Sequence, residues 1–211
     1  MGGMDLRDTL FGDAPLSLWV SEARPTTEPW ATLAQARDAQ GAGRVPEAIS
    51  LLQRVTAAPG LEARHTLEAW NALRQLGVAA PPDLAKRVYG VVVEVAMDTG
   101  QDVLAGYADR TARYLNYSGS AVIWDAPDGR FDADIAALLD AGARIVPHIG
   151  PWEEPRRKEL GAGNVRLSML TPSGLHFGEG PMEALMGDGM AGPLLAAAIR
   201  LLQGMTALQG K

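Results

Sequence analysis

The chain has 211 residues, of which 47% are hydrophobic and 21% charged, with no cysteine and a formal net charge of −6. This composition is that of a folded globular protein and excludes a wholly disordered one. The lack of cysteine excludes disulfides, thiolate nucleophiles and cysteine-ligated metals and favours a cytoplasmic location, and the acidic balance argues against nucleic acid as a partner.

No membrane association is expected from the sequence. The N-terminus lacks the basic and apolar regions of an export signal. The longest apolar run, residues 190–205, is interrupted by Arg200 and is shorter than the roughly 20 residues that cross a bilayer. We therefore expect a soluble protein whose last apolar run is a core helix.

Residues 1–80 show the spacing of helices. Apolar residues between 5 and 21 form two short groups, separated by Gly12 and Pro15, which predicts two short helical pieces. The prolines of residues 21–29 indicate a linker. A helix is then predicted from Trp30 to about Gly41, and a second from about Pro46 to Val55.

This pair of helices resembles one tetratricopeptide unit. The resemblance is carried by residues 34–55, with Ala36 and Ala39 as small packing residues, Gly43 at the turn and Glu47-Ala48 at the start of the second helix. It implies a helical hairpin that binds other proteins. No further copy follows at the period of roughly 34 residues, although a solenoid needs three. A third helix predicted over residues 61–77 would cap a single hairpin, which either forms a partner groove or packs on the rest of the chain.

Residues 81–211 predict an α+β sheet domain. Four segments rich in β-branched and aromatic residues follow one another with short turns between them, at residues 87–97, 101–108, 110–117 and 120–126. Sequential strands with such short connections form an antiparallel meander.

The first of these turns contains Asp98-Thr99-Gly100, which resembles the loop that holds the catalytic aspartate of an acid protease. That mechanism needs two carboxylates sharing a proton. The chain has no second Asp-Thr-Gly or Asp-Ser-Gly, and Gln101 stands where the family has Ala, Ser or Thr. A hairpin turn needs only the residues present, so we interpret the tripeptide as a turn, with a homodimeric protease as the alternative.

The last third predicts a helix, further strands and closing helices. The helix begins at a cap-like Asp132 and ends near Gly142, and a short strand is expected over residues 143–149. One or two helical turns follow over 150–163, a hairpin over 164–181 and two helices after it. The complete order of elements predicts an N-terminal helical hairpin followed by a two-layer α+β domain. This layout is similar to the roadblock, longin and profilin-like folds, which are mainly binding scaffolds.

The best local candidate for a chemical site is the group of His148, Glu153 and Glu154. A histidine followed by two carboxylates could bind a divalent metal ion or serve as base and acid. The favoured interpretation places His148 at a strand end and both glutamates in the first turn of a helix. Ser118 and Ser173 precede glycines but lack the G-x-S-x-G context of a nucleophile. No catalytic set, metal or cofactor is therefore predicted.

Three aromatic residues of the meander, Tyr107, Tyr114 and Trp124, are candidates for a ligand-binding face or for cross-strand packing. The leading hypothesis is a protein-binding or adaptor module without evident catalysis. The alternatives are a hydrolase, either dimeric at Asp98 or metal-assisted around His148 and Glu153, and a small-ligand sensory module that uses the aromatic face.

Overall fold

The computed structural model describes residues 6–20, 25–125 and 128–208. The chain divides into two compact units, Met1–Ala85 and Lys86–Lys211. Each unit has an apolar core of its own. Among the described residues, no helix combines the length and the apolar character needed to cross a membrane.

The first unit is helical throughout its described residues. A 3₁₀ helix at Leu6–Leu10 precedes α1 (Leu16–Trp19), α2 (Trp30–Gly41), α3 (Val45–Ala57), α4 (Ala63–Gln75) and α5 (Pro82–Ala85). Helices α2 and α3 pack against each other across a three-residue connection, and α4 packs against α3. Proline near the start of α3 and glycine in the preceding turn fix these boundaries, as the sequence predicted.

Helix α4 is buried on more sides than its apolar spacing predicts. Every residue from His65 to Leu73 is buried, including Glu68 and Asn71. The N-terminal segment packs closely on α4, since a Cβ on Gly12 would lie only 2.7 Å from that of Leu67. Gly12 thus permits a close approach that places a polar side of α4 in the interior.

The second unit contains a six-stranded antiparallel sheet in the order β4-β3-β2-β1-β5-β6. The strands are β1 (Gly90–Ala96), β2 (Gln101–Tyr107), β3 (Ala112–Leu115), β4 (Ala121–Trp124), β5 (Asn164–Thr171) and β6 (Gly174–Pro181). The first four form the predicted meander, and β5 and β6 form the predicted hairpin. The α+β class is therefore confirmed.

Helices α6 (Asp132–Ile145), α7 (Met182–Gly187) and α8 (Ala191–Thr206) complete the unit. Alternate residues of the strands, among them Val91, Leu104 and Met169, share one apolar core with α6 and α8. These side chains lie on one face of the sheet because the side-chain direction alternates along a strand.

The short strand predicted at residues 143–149 is wrong. Helix α6 continues through Gly142 to Ile145, and a 3₁₀ helix follows at Val146–His148. Gly142 does not end the helix, because it lies against the sheet, where a Cβ would be 2.9 Å from Val91 Cγ2. The buried residues Ile135, Leu138 and Val146 extend the helical spacing past the expected end.

The helical turns predicted at residues 150–163 are also wrong, since this segment contains no helix or strand. Pro151 and Pro155 each remove a backbone donor and disfavour helical geometry in the residue before them. The carbonyls of Arg157 and Glu159, which a helix would pair with its own N–H groups, accept hydrogen bonds from Arg166 at 2.6 Å each. Glu153 and Glu154 therefore do not lie on a first helical turn.

Candidate functional site

Asp98 lies in the loop that joins β1 to β2. Ala96 and Gln101 are the last paired residues, and the Met97 N–H donates to the Gly100 carbonyl at 3.1 Å. Gly100 has a φ of +79°, which glycine adopts without strain. Asp98 is exposed, and its pairing with a copy of itself in a dimer stays a prediction.

The structure does not join His148 to Glu153 or Glu154. All three side chains are exposed, and no hydrogen bond or ion pair connects them among the described residues. Within that part of the chain, no group of three or more histidine and carboxylate side chains is placed to hold a metal ion. The proposed metal-assisted chemistry has no geometric support here.

The three candidate aromatic residues lie on different faces of the sheet. Tyr114 and Trp124 belong to the face that packs on the helices, and Trp124 contacts Phe131 edge to face at 4.8 Å. Tyr107 is fully buried on the opposite face, where Gly90 leaves room for its ring. Tyr114 lines a cavity.

This cavity, which we call the apolar cleft, lies between helix α8 and one end of the sheet. Its volume is about 50 Å³. The sheet contributes Val93, Val95, Asp102, Leu104 and Tyr114, and the helices contribute Met182, Leu195, Ala198, Ile199 and Leu202. The spacing of Leu195, Ile199 and Leu202 places them on one side of α8, so the helix lines the cleft with a single stripe.

Two polar groups interrupt the apolar wall. The Tyr114 hydroxyl donates to Asp102 Oδ2 at 2.8 Å, and the Tyr117 N–H donates to Asp102 Oδ1 at 2.8 Å. Burial, with the hydrogen bond to Asp102, raises the pKa of Tyr114 to about 12. The phenol therefore stays protonated at neutral pH and keeps the carboxylate oriented in the cleft wall.

Asp102 is an anion held by neutral donors. Among the described residues no cation forms an ion pair with it. Hydrogen bonds leave lone pairs on both carboxylate oxygens, which can accept from a further donor. The cleft thus combines an apolar space with a negative acceptor at its wall.

A second polar cluster, on the other face of the sheet, surrounds Arg166. Its guanidinium bonds Glu94 at 3.3 Å, Glu179 at 2.9 Å and the carbonyls of Arg157 and Glu159. Burial would raise the pKa of Glu179, but hydrogen bonds from Arg166 and Asn164 and the nearby positive charges lower it. All three guanidinium nitrogens are engaged, so Arg166 anchors residues 157–159 to the sheet.

A hollow of about 470 Å³ lies over this cluster, lined by Arg157, Lys158, Glu159, Arg166 and Glu179. Its three cations, Arg157, Lys158 and Arg166, are balanced by three carboxylates, Glu159 and Glu179 in the lining and Glu94 beneath it, which bonds Arg166. The hollow therefore lacks the surplus of positive charge that an anion would need.

Comparisons with protein-family models, with curated proteins and with solved structures found no match for this chain. The assignment of a function thus depends on the geometry of the cleft.

Sequence reasoning missed Asp102 and the helix side of the cleft. The stripe on α8 is visible in the sequence, but nothing local shows that it leaves a cavity against β1 and β2. The signal that was available is the position of Asp102 and Tyr114 on two successive strands of a predicted meander, where Tyr114 pairs with Leu104, two residues after Asp102.

Proposed function

We propose that this protein is a protein-binding module, and that the apolar cleft takes up the end of one apolar side chain of its partner. The single observation that carries this proposal is the cleft itself, with Asp102 in its wall. Small-molecule sites have volumes of roughly 300–1,000 Å³. A cavity of about 50 Å³ is the size of part of a side chain.

The surroundings of the cleft favour a protein partner. Ile199 lines the cleft and is 38% exposed, and Met182 at the start of α7 lines it too. Met186 on α7 and Met190 just before α8, the two elements that contribute these residues, are each 44% exposed. Exposed methionines suit surfaces that adapt to another protein, because their side chains are unbranched and polarisable. An apolar anchor in a small pocket with a polar neighbour is the usual centre of such an interface.

The charge of the cleft defines the partner further. Asp102 offers acceptor capacity and has no ion-paired cation among the described residues, and the chain as a whole carries a formal charge of −6. A complementary segment has an apolar side chain of the size of leucine or methionine beside a lysine or arginine. Electrostatic complementarity of this kind raises the association rate and selects among partners.

The helical hairpin of the first unit, whose sequence resembles a tetratricopeptide unit, remains a second candidate surface. Its outward residues are mostly polar, including Gln35, Ser50, Gln53 and Arg54, with Val45 as an exposed apolar exception. The cleft is favoured over the hairpin because it offers an apolar pocket. The absence of cysteine from the sequence favours a cytoplasmic setting for this interaction.

The proposal is tested by photo-crosslinking in cells of the source organism. A photoreactive phenylalanine analogue replaces Ile199 in one variant, and Ile123, which is 54% exposed on β4, in a matched control. We expect a specific protein adduct from position 199 only. Its partner peptide, mapped by mass spectrometry, should carry the apolar and basic pair described above.

Purified components provide the quantitative test. Ile199→Ser should weaken binding of the mapped peptide at least tenfold by fluorescence anisotropy, whereas Ile123→Ser and Arg54→Glu should leave it unchanged. Loss of binding with Arg54→Glu alone would move the interface to the hairpin. A small molecule retained by the native protein in mass spectrometry, with no crosslink at 199, would contradict the proposal in favour of a sensory module.

A further inference from the structure

The hairpin of β5 and β6 carries a serine and a histidine in hydrogen-bond contact at its turn. Ser173 lies in the two-residue connection between the paired residues Thr171 and Gly174. Its Oγ is 3.2 Å from His176 Nε2. The other ring nitrogen, Nδ1, is 3.1 Å from the carbonyl oxygen of Ile149.

These contacts fix the tautomer of His176. A carbonyl oxygen only accepts, so Nδ1 carries the hydrogen and donates it to Ile149. In the neutral ring Nε2 is then an acceptor that faces Ser173. The Ser173 hydroxyl can therefore donate its hydrogen to Nε2, which is the arrangement of a nucleophile and its base.

Thr171 contacts the Ser173 hydroxyl from the other side. Its Oγ1 donates to the Gly174 carbonyl at 2.9 Å and lies 2.9 Å from Ser173 Oγ. The Gly174 carbonyl only accepts, so it takes the single Thr171 hydrogen and leaves Thr171 Oγ1 as an acceptor. The serine hydrogen thus has two acceptors within reach, Thr171 Oγ1 and His176 Nε2, and the reaction uses its bond to His176.

His176 is held in its basic form. Its side chain is fully buried at the end of the sheet. Burial lowers the pKa of His176; the bond to Ile149 opposes this effect and the charge of Lys86 adds to it. The imidazole is therefore neutral at pH 7 and free to accept a proton at Nε2.

We propose that Ser173 is a nucleophile that accepts an acyl group from an activated ester, with His176 as its base. The Ser173 oxygen forms a bond to the carbonyl carbon while its proton passes to Nε2. The carbonyl electron pair moves to oxygen and then returns to expel the aryl-oxide or thiolate leaving group, which takes up the proton from Nε2. Water, deprotonated by His176, can then release the acid and restore the serine.

The geometry limits the substrate class. The Ile149 carbonyl orients the imidazole but carries no charge, so it stabilises the imidazolium less than a carboxylate would. A weakly stabilised base suits aryl esters and thioesters, which have good leaving groups, and not amides. Ser173 is half-buried in the hairpin turn, so a short acyl chain is the group expected to reach it.

This site is separate from the apolar cleft and does not depend on the proposed binding function. The test uses the full chain with p-nitrophenyl acetate as the probe. We expect an initial burst of one equivalent of nitrophenolate, followed by slower turnover, and an acetyl group mapped by mass spectrometry to the peptide that contains Ser173. The Ser173→Ala variant should reduce the initial rate at least tenfold.

Ser118 provides the matched control, because it also precedes a glycine in a turn but bonds Asn116 and not a histidine. Ser118→Ala should react like the natural protein. His176→Gln, with its fold verified by circular dichroism, should be as slow as Ser173→Ala. The rate should also reach its plateau by pH 7, because a lowered histidine pKa keeps the base available there.

Three results would overturn the proposal. Acetylation that maps only to lysine or tyrosine would exclude Ser173 as the acceptor. A Ser173→Ala variant with an unchanged initial rate would do the same. A rate that keeps rising to about pH 10 without a plateau would indicate lysine or hydroxide chemistry.

Discussion

Glu68 shows most clearly how position changes the chemistry of a single residue. It lies in α4 with no exposed surface, and neither carboxyl oxygen is hydrogen-bonded by the residues that the structure describes. Burial, together with the negative charge of Asp13, raises the pKa of Glu68 to about 9, although Arg74 acts in the opposite direction. Glu68 is therefore a neutral acid in the folded protein at pH 7.

This burial makes stability depend on pH in a defined direction. The unfolded chain loses the Glu68 proton near pH 4.5, whereas the folded chain keeps it to about pH 9. The stabilisation is complete below pH 4.5 and is lost as pH rises through this interval, because only the unfolded state releases the proton. At pH 7 the loss is on the order of 3 kcal/mol.

The prediction is that Glu68→Gln removes this pH dependence, because glutamine has no proton to lose. Near pH 5 the variant should be about as stable as the natural protein, and near pH 8 it should be more stable by a few kcal/mol. Urea denaturation at both pH values measures the free energy of unfolding. The control Glu47→Gln, on the exposed side of α3, should leave the change of the unfolding free energy with pH as it is in the natural protein. If this change is the same for Glu68→Gln and the natural protein, Glu68 is not a buried neutral acid.

At the level of elements, the contact between α6 and the sheet depends on a glycine inside the helix. Gly142 is buried, and an added Cβ would lie 2.9 Å from Val91 Cγ2 and 3.0 Å from Met169 Cγ. Glycine normally weakens a helix by about 1 kcal/mol relative to alanine. Here it allows α6 to approach β1 and β5 closely, which places the helix over the core.

We therefore expect Gly142→Ala to destabilise the protein by about 1–2 kcal/mol, because overpacking outweighs the gain in helix propensity. Gly41→Ala at the end of α2 is the matched control, since a Cβ there meets nothing within 4 Å. It should be neutral or slightly stabilising. Thermal unfolding followed by circular dichroism compares the two. A Gly142→Ala variant as stable as Gly41→Ala would show that the helix lies further from the sheet than described.

At the level of the whole molecule, the two units have cores that share no residue among those described. Leu52 belongs to the core of the first unit and Leu138 to that of the second, and both have no exposed surface. Units that each bury a core of their own can open separately, with different free energies. A substitution that weakens one core is thus expected to destabilise only the unit that contains it.

The test compares Leu52→Ala with Leu138→Ala, each of which should cost about 2–5 kcal/mol. Amide hydrogen exchange should accelerate within residues 1–85 for the first variant and within residues 86–211 for the second. Each variant is the control for the other. Faster exchange across the whole chain in both would show that the two units unfold as one.

Local patterns in the sequence were sufficient for most of the helices and strands, but not for residues 143–163. The turn at Asp98-Thr99-Gly100 and the period-two alternation of Val91, Val93 and Val95 involve residues that are close in sequence, so the meander was predicted correctly. The error at residues 143–149 arose because a glycine in a sequence usually marks a helix end. Only contact with Val91 and Met169 reveals that Gly142 is a packing position.

The sites were decided by the tertiary structure. The apolar cleft joins Asp102 and Tyr114 to Ile199, and the acidity of Glu68 depends on Asp13, so both bring together residues distant in sequence. The sequence by itself determined the α+β class, the meander and the excess of negative charge, because these follow from composition and short-range spacing. Burial, cavity shape and pKa depend on which distant segments exclude water from a group, and this is settled only when the chain folds.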